Sequence, residues 1–140
     1  MKQATVTAIH SAGPNHRVLT IEGGSNAHCK RPCAQCPWRK DAVGIFPPEA
    51  FRHSAVTAYD MAPNTFGCHS RPTASPATCA GFLLVGAEHN LRVRMQRSRG
   101  AWLDVTADGH DLFTSYREMA IANGVDPEDP ALARCRSADE

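Results

Sequence analysis

Cys33 and Cys36 form a Cys-x-x-Cys in the run CAQCPW, Cys68 follows in FGCH, and Cys79 follows in TCAGF. Thiolates bind zinc and iron–sulfur centres tightly. A two-residue gap lets both sulfurs turn toward one centre while backbone N–H groups of the turn donate to them. Gly67, just before Cys68, permits a close approach of the chain. Cys79 sits at the expected mouth of a helix, where unpaired N–H groups favour the thiolate. The expectation is a four-thiolate structural site, Cys33, Cys36, Cys68 and Cys79, tying three distant segments together. Zn2+ stands slightly ahead of a [4Fe–4S] cluster, solely because all-cysteine zinc sites are the commoner outcome. Single scattered ligands after one Cys-x-x-Cys, and the Cys36-Pro37 pair, suit a cluster as well.

Four further residues stand in reserve. His69 beside Cys68, and His28 beside Cys29, are candidates for a ligand or for a hydrogen bond to a sulfur. Cys29 reads as a spare thiol next to the site, and Cys135, in ALARCRS, as a free thiol or a fifth ligand. A metal-dependent enzyme using His69 would need Cys68 or Cys79 off the metal, because four thiolates leave no open position. The simpler reading, reduced cysteines packed as small hydrophobes, fits poorly with Pro- and Gly-bearing loops.

Other chemistries fail on particular residues. Cys29, Cys33 and Cys36 superficially match the three-cysteine motif of radical SAM enzymes, but no βα units follow. Cys33 does not open a helix after a strand, as a thioredoxin-like thiol would. Pro32-Cys33-Ala34-Gln35-Cys36 echoes half of a deaminase signature whose H-x-E partner is missing. There is no Gly-rich phosphate loop, HExxH or nucleophile elbow.

Arg92, Arg94, Arg97 and Arg99 make a basic stripe that could meet a nucleic acid or an acidic protein face. At a formal net charge of +1, a solvated helix face is the plainer expectation. Trp38 next to Arg39 is expected to shield the metal from water.

The elements that must position these groups follow from the pattern. A chain of 140 residues is long enough for a single domain. The fold class expected is α+β: an N-terminal β-hairpin over 1–27, a Cys-rich core with two to three helices over 28–126, and an irregular tail over 127–140. The hairpin rests on β-like runs at 5–9 and 17–22 flanking SAGPNH. Residues 28–40 read as a metal-organised loop. Pro47 and Pro48 open a helix of about three turns with Phe51, Ala55 and Val56 on one side. Thr78 caps another near Cys79. Residues 90–99 could be strand or helix. Helix is preferred, continuing from Cys79 with Leu84, Leu91 and Met95 inward. The clearest helix spans 111–123, closed by Gly124. No run approaches the roughly 20 apolar residues of a membrane span, and the N-terminal residues lack a signal-peptide core. A cytoplasmic setting is therefore expected, where thiols stay reduced.

CAQCPWRKDAVGIFPPEAF, FGCH and CAGFLL, with the closing SYREMAIANGVDPEDPALARCR, resemble DUF6283, a family of uncharacterised bacterial and phage proteins. The resemblance covers about Arg31 to Arg136 and carries no established activity. It implies Cys33, Cys36, Cys68 and Cys79 as the ligand-like set, with His69 adjacent and Trp38, Arg39 and Asp41 as recurrent neighbours. Cys29 falls outside it. The expectation is a non-enzymatic adaptor or accessory protein whose partner is an unknown protein or nucleic acid, with no membrane association.

Overall fold

Alternating apolar and polar residues early in the chain give β1 (Thr5–Ser11) and β2 (Arg17–Glu22), which pair antiparallel with Ile9 opposite Leu19 and an irregularity between Val6 and Ala8. The structure is a computed structural model that describes residues 5–12, 17–22, 26–68, 70 and 75–137. The segment linking β1 to β2, where turn chemistry is expected, lies outside the described residues, as does His69. β1 does not bury its apolar side chains: Val6 and Ile9 are exposed. It meets the rest of the fold through His10, whose ring stacks on His53 at 4.8 Å.

α1 (Pro48–Ser54) begins where expected, with proline in its first turn, where no intrahelical N–H is needed. It is shorter than three turns, passing at Ala55 into a 3-10 turn, Ala55–Ala58. Phe51 and Ala55 are buried, but Val56, expected beside them, faces solvent.

The stretch after Cys79 is not one long helix. A π-helical turn, Phe82–Gly86, ends at Ala87, and α2 (Leu91–Ser98) starts afresh with Asn90 as its cap. Asn90 is 1% exposed; its Oδ1 accepts from Val93 N at 3.1 Å, and its Nδ2 donates to Asn64 O at 2.8 Å and Thr57 O at 3.2 Å. A capping side chain with every contact inside the protein fixes this helix start and forces the break before it. Helix is thus the conformation of most of residues 90–99, but the inward side differs from expectation. Val93 is buried, whereas Leu84 and Met95 are exposed.

α3 (Tyr116–Ala122) starts five residues later than the periodicity predicts. Residues 111–113 are instead drawn into backbone pairing with the segment leaving the Cys-x-x-Cys: Lys40 N donates to Asp111 O and Phe113 N to Trp38 O, each at 3.0 Å. Ser115 then caps the helix, its Oγ accepting from Glu118 N at 3.0 Å. At the other end Gly124 (φ +103°) and Val125 donate to Ile121 O and Ala120 O, each at 3.0 Å, closing the carbonyls in a Schellman turn.

The core joins these pieces around Trp38, Phe51, Phe82, Val93, Tyr116 and Met119. Tyr116, almost fully buried, donates to Phe51 O at 2.5 Å and meets Ser54 Oγ at 2.7 Å, locking α3 onto α1. The tail is less irregular than expected. Pro130–Leu132 forms a 3-10 turn, Leu132 is fully buried, and Cys135 pairs by backbone with Tyr59. Among the described residues no helix is long and apolar enough to cross a membrane.

Candidate metal centre

Three extended segments lie side by side at the base of the site. Thr78 is in the middle, bridged in parallel to His28 and antiparallel to Gly67. The bonds are Thr78 N to Ala27 O (3.0 Å), Cys29 N to Thr78 O (2.9 Å), Cys68 N to Ala77 O (2.7 Å) and Cys79 N to Phe66 O (2.8 Å). Bridged residues share a side of such a ladder and successive residues alternate. Thr78, His28 and Gly67 therefore share one side, where Thr78 Oγ1 also meets Thr65 Oγ1 at 3.3 Å. The residue after each of them is a cysteine, and so Cys79, Cys29 and Cys68 are turned to the opposite side.

The Cys-x-x-Cys supplies the other thiols. Its turn is closed by Cys36 N donating to Cys33 O at 3.2 Å, and the chain turns again as Arg39 N donates to Cys36 O at 3.0 Å. The Arg39 guanidinium reaches back to Cys33 O at 3.1 Å and is held by both oxygens of Asp41, at 2.8 and 2.6 Å. Cys36 Sγ comes within 3.6 Å of Cys79 Sγ. This approach needs Gly81: a Cβ there would lie 2.9 Å from Cys36 Sγ and 2.6 Å from Trp38 Cβ. Gly86 likewise leaves room for the far end of the Trp38 ring, so both glycines of CAGFLLVG exist to seat one tryptophan. Trp38 is completely buried, edge-on to Phe66 and Tyr116, and its Nε1 has no partner among the described residues. It shares one buried cluster with Cys36 and Cys79.

Electrostatics sort the thiols. Cys36 is lowered to about 7, first by the thiol of Cys79 and then by N–H donation from Trp38 and Gly81, against the opposing effect of burial. Cys79 is raised, by Cys36 first and then by burial, although Phe82 N–H donates to it. The two sulfurs thus share a hydrogen bond in which Cys79 holds its proton more tightly than Cys36. Burial raises Cys33 and Cys68, which receive N–H bonds from Gln35 and Ser70. Each of Cys33, Cys36, Cys68 and Cys79 therefore accepts from a backbone N–H two or three residues further on, the pattern that neutralises a thiolate. Cys29 pushes the Cys68 thiol up, and Cys33 pulls it down.

Of Cys29, Cys33, Cys36, Cys68 and Cys79, the closest sulfurs are those of Cys36 and Cys79, at 3.6 Å. Among the described residues, no group of three or more Cys, His, Asp or Glu side chains is placed to hold a metal ion. His28 is directed elsewhere: its Nε2 lies 2.7 Å from Asp104 Oδ1, on the ladder side away from the thiols. Cys135 is also apart, against Ala55 O and Ala131 O, where burial pushes it up to about 11. A cavity of about 80 Å³ beside Gly86, His89 and Tyr116 includes none of these cysteines.

The basic stripe divides. Arg97 donates to Leu83 O at 2.5 Å, Arg92 to Asn26 Oδ1 at 2.9 Å while lying over Trp102, and Arg94 to Glu88 O at 2.9 Å. These three hold α2 to its surroundings, and Arg99 is exposed at the helix end.

The model of DUF6283, a family of unknown function, matches residues 28–136, and the chain belongs to that family. No curated protein and no solved structure matches it significantly.

Proposed function

We propose that this DUF6283 protein is a metal-binding protein whose zinc, held by Cys33, Cys36, Cys68 and Cys79, organises the centre of the fold. The observation that carries this reading is the Cys36–Cys79 separation of 3.6 Å between residues on different segments, each sulfur already receiving backbone N–H groups. Two sulfurs at about 2.3 Å from one tetrahedral zinc stand about 3.7–3.8 Å apart. Cysteines on separate irons of a cubane cluster stand farther apart, so this spacing favours a single ion. Closing the shell requires Cys33 and Cys68 to move onto the ion with this pair, and the ion's binding energy is available to drive that movement.

Four thiolates leave no position for substrate, so the role is structural. The zinc domain acts as an adaptor that presents the end of α2, with Arg94, Met95 and Arg99 exposed, to an acidic protein face or to nucleic acid. Elemental analysis of protein purified without oxygen tests the metal. One zinc per chain in a colourless protein, lost in Cys36→Ser and in Cys79→Ser, is expected. Brown protein with sulfur-to-iron absorbance would replace zinc by a cluster, and a metal-free, fully folded protein would remove the reading.

A further inference from the structure

The chain between α2 and α3, from Arg99 to Ser115, forms no helix or strand of its own. Stretches longer than about 12–15 residues without such structure are uncommon in small domains and usually carry function. This one lies along the residues flanking the Cys-x-x-Cys. Trp102 Nε1 donates to Asn26 O and Thr106 N to Lys30 O, each at 2.9 Å, and Lys40 N donates to Asp111 O at 3.0 Å. Its aspartates are thereby set against cations. Asp104 meets His28 at 2.7 Å and Lys30 at 3.4 Å, and Asp108 meets Arg31, and Asp111 Lys40, at 3.9 Å. The backbone is pinned, with Trp102 buried at a φ of +59°. Lys30, Arg31, Lys40 and the three aspartates are nevertheless exposed. Exposed pairs of this kind contribute little and are screened by salt, so the carboxylates can swing aside without the loop lifting.

We propose that Lys30, Arg31 and Lys40 form a contact strip for a nucleic-acid backbone, and that Asp104, Asp108 and Asp111 mask it by standing where phosphates would lie. Single negative charges spaced along one strip are the pattern of a phosphodiester chain. The aromatic anchor that protein interfaces favour is missing from it, since Trp102 is buried. A polynucleotide brings many linked charges and releases counterions on binding, which lets it displace weak intramolecular pairs. The strip uses no residue of α2 and needs no metal, so its failure leaves the zinc reading untouched.

Fluorescence anisotropy of a labelled single-stranded oligonucleotide, read with full-length variants at low salt, tests this. Asp104→Asn/Asp108→Asn/Asp111→Asn binds about tenfold or more tighter than wild type, with a steeper salt dependence. Glu88→Gln/Asp126→Asn/Glu128→Gln removes the same charge from exposed positions elsewhere and changes binding by less than about threefold. Equal gains in the two variants, or no gain in the first, overturn the mask. Adding Lys30→Gln/Arg31→Gln/Lys40→Gln to the first variant abolishes its gain, and a gain that persists overturns the strip. Should the aspartate variant fail to fold, the same three cation substitutions in the wild-type background give a second measurement: residual binding falls about tenfold, and unchanged binding overturns the proposal. Poly-glutamate bound as tightly as the oligonucleotide overturns the choice of nucleic acid.

Discussion

Cys36 Sγ lies 3.6 Å from Cys79 Sγ across 43 positions of sequence, and Gly81 is the residue that lets it do so. Cys79 holds the proton of their hydrogen bond more tightly than Cys36 does. In the metal-free protein, Cys36 has a folded value near 7, below the ordinary thiol value of 9.0, so its contribution to stability is present above pH 9 and fades as pH falls through 7. Cys79 works in the opposite sense: its value is raised, so its contribution is present below pH 9 and is lost as pH rises through its higher folded value. Stability of the metal-free chain should therefore rise from pH 7 toward 9 and decline at more alkaline pH. Denaturant titrations across that range, with thiolate ultraviolet absorbance, check it; a decline between 7 and 9 contradicts the shared hydrogen bond.

Gly81→Ala forces a methyl group onto Cys36 Sγ and the Trp38 side chain. Overpacking of this kind costs about 1–3 kcal/mol. Metal affinity should fall as well, because the sulfur pair is pushed apart. Gly67→Ala is the matched control, since its added carbon meets only Ala77 O at 3.9 Å. Urea unfolding and zinc competition on the two variants should separate them clearly.

Asn90→Ala removes the cap of α2 together with bonds to Thr57 O and Asn64 O. Loss of a cap and of buried carbonyl partners together should cost about 2 kcal/mol or more. Because Asn90 touches no cysteine, zinc stoichiometry should not change. Thermal unfolding with metal analysis reads both quantities.

Arg97 and Arg99 lie two positions apart yet should behave differently. Arg97→Ala strips a bond from Leu83 O and should destabilise by about 1 kcal/mol. Arg99→Ala, at an exposed helix end, should alter stability by less than about 0.5 kcal/mol. If α2 presents a basic surface to a partner, Arg99→Ala weakens that association while the fold is unaffected, which binding measured at several salt concentrations would report.

Local order is more legible in the sequence than long-range contact. Cys33, Cys36, Cys68 and Cys79 stand out by type and by their glycine and proline neighbours, and helix termini at Pro48 and Gly124 follow from capping chemistry that is local. The position of Cys29 depends on a ladder of single bridged residues, and one residue per segment leaves no alternation to detect. The apolar pattern from Leu112 onward predicted too early a helix start, since Phe113 is buried by pairing with the backbone of Trp38 and not by helical spacing. Asn90 read as an unremarkable polar residue inside a helix-permissive run, and only its buried partners reveal it as a boundary. The acidic, proline-punctuated tail hid a single apolar residue, Leu132, that fills the core.

Leu132 has a consequence for how the protein is made. Phe51 and Ala55 share its core cluster, and the Cys135 thiol reaches back 80 positions to Ala55 O. During synthesis, that cluster stays open to water until Leu132 has emerged, long after Phe51 and Ala55. Every thiol of the candidate centre, from Cys29 to Cys79, emerges well before then. On the zinc reading proposed above, ion capture on the nascent chain can precede closure of the hydrocarbon interior, and a truncation ahead of Leu132 would lose that closure while retaining the ion.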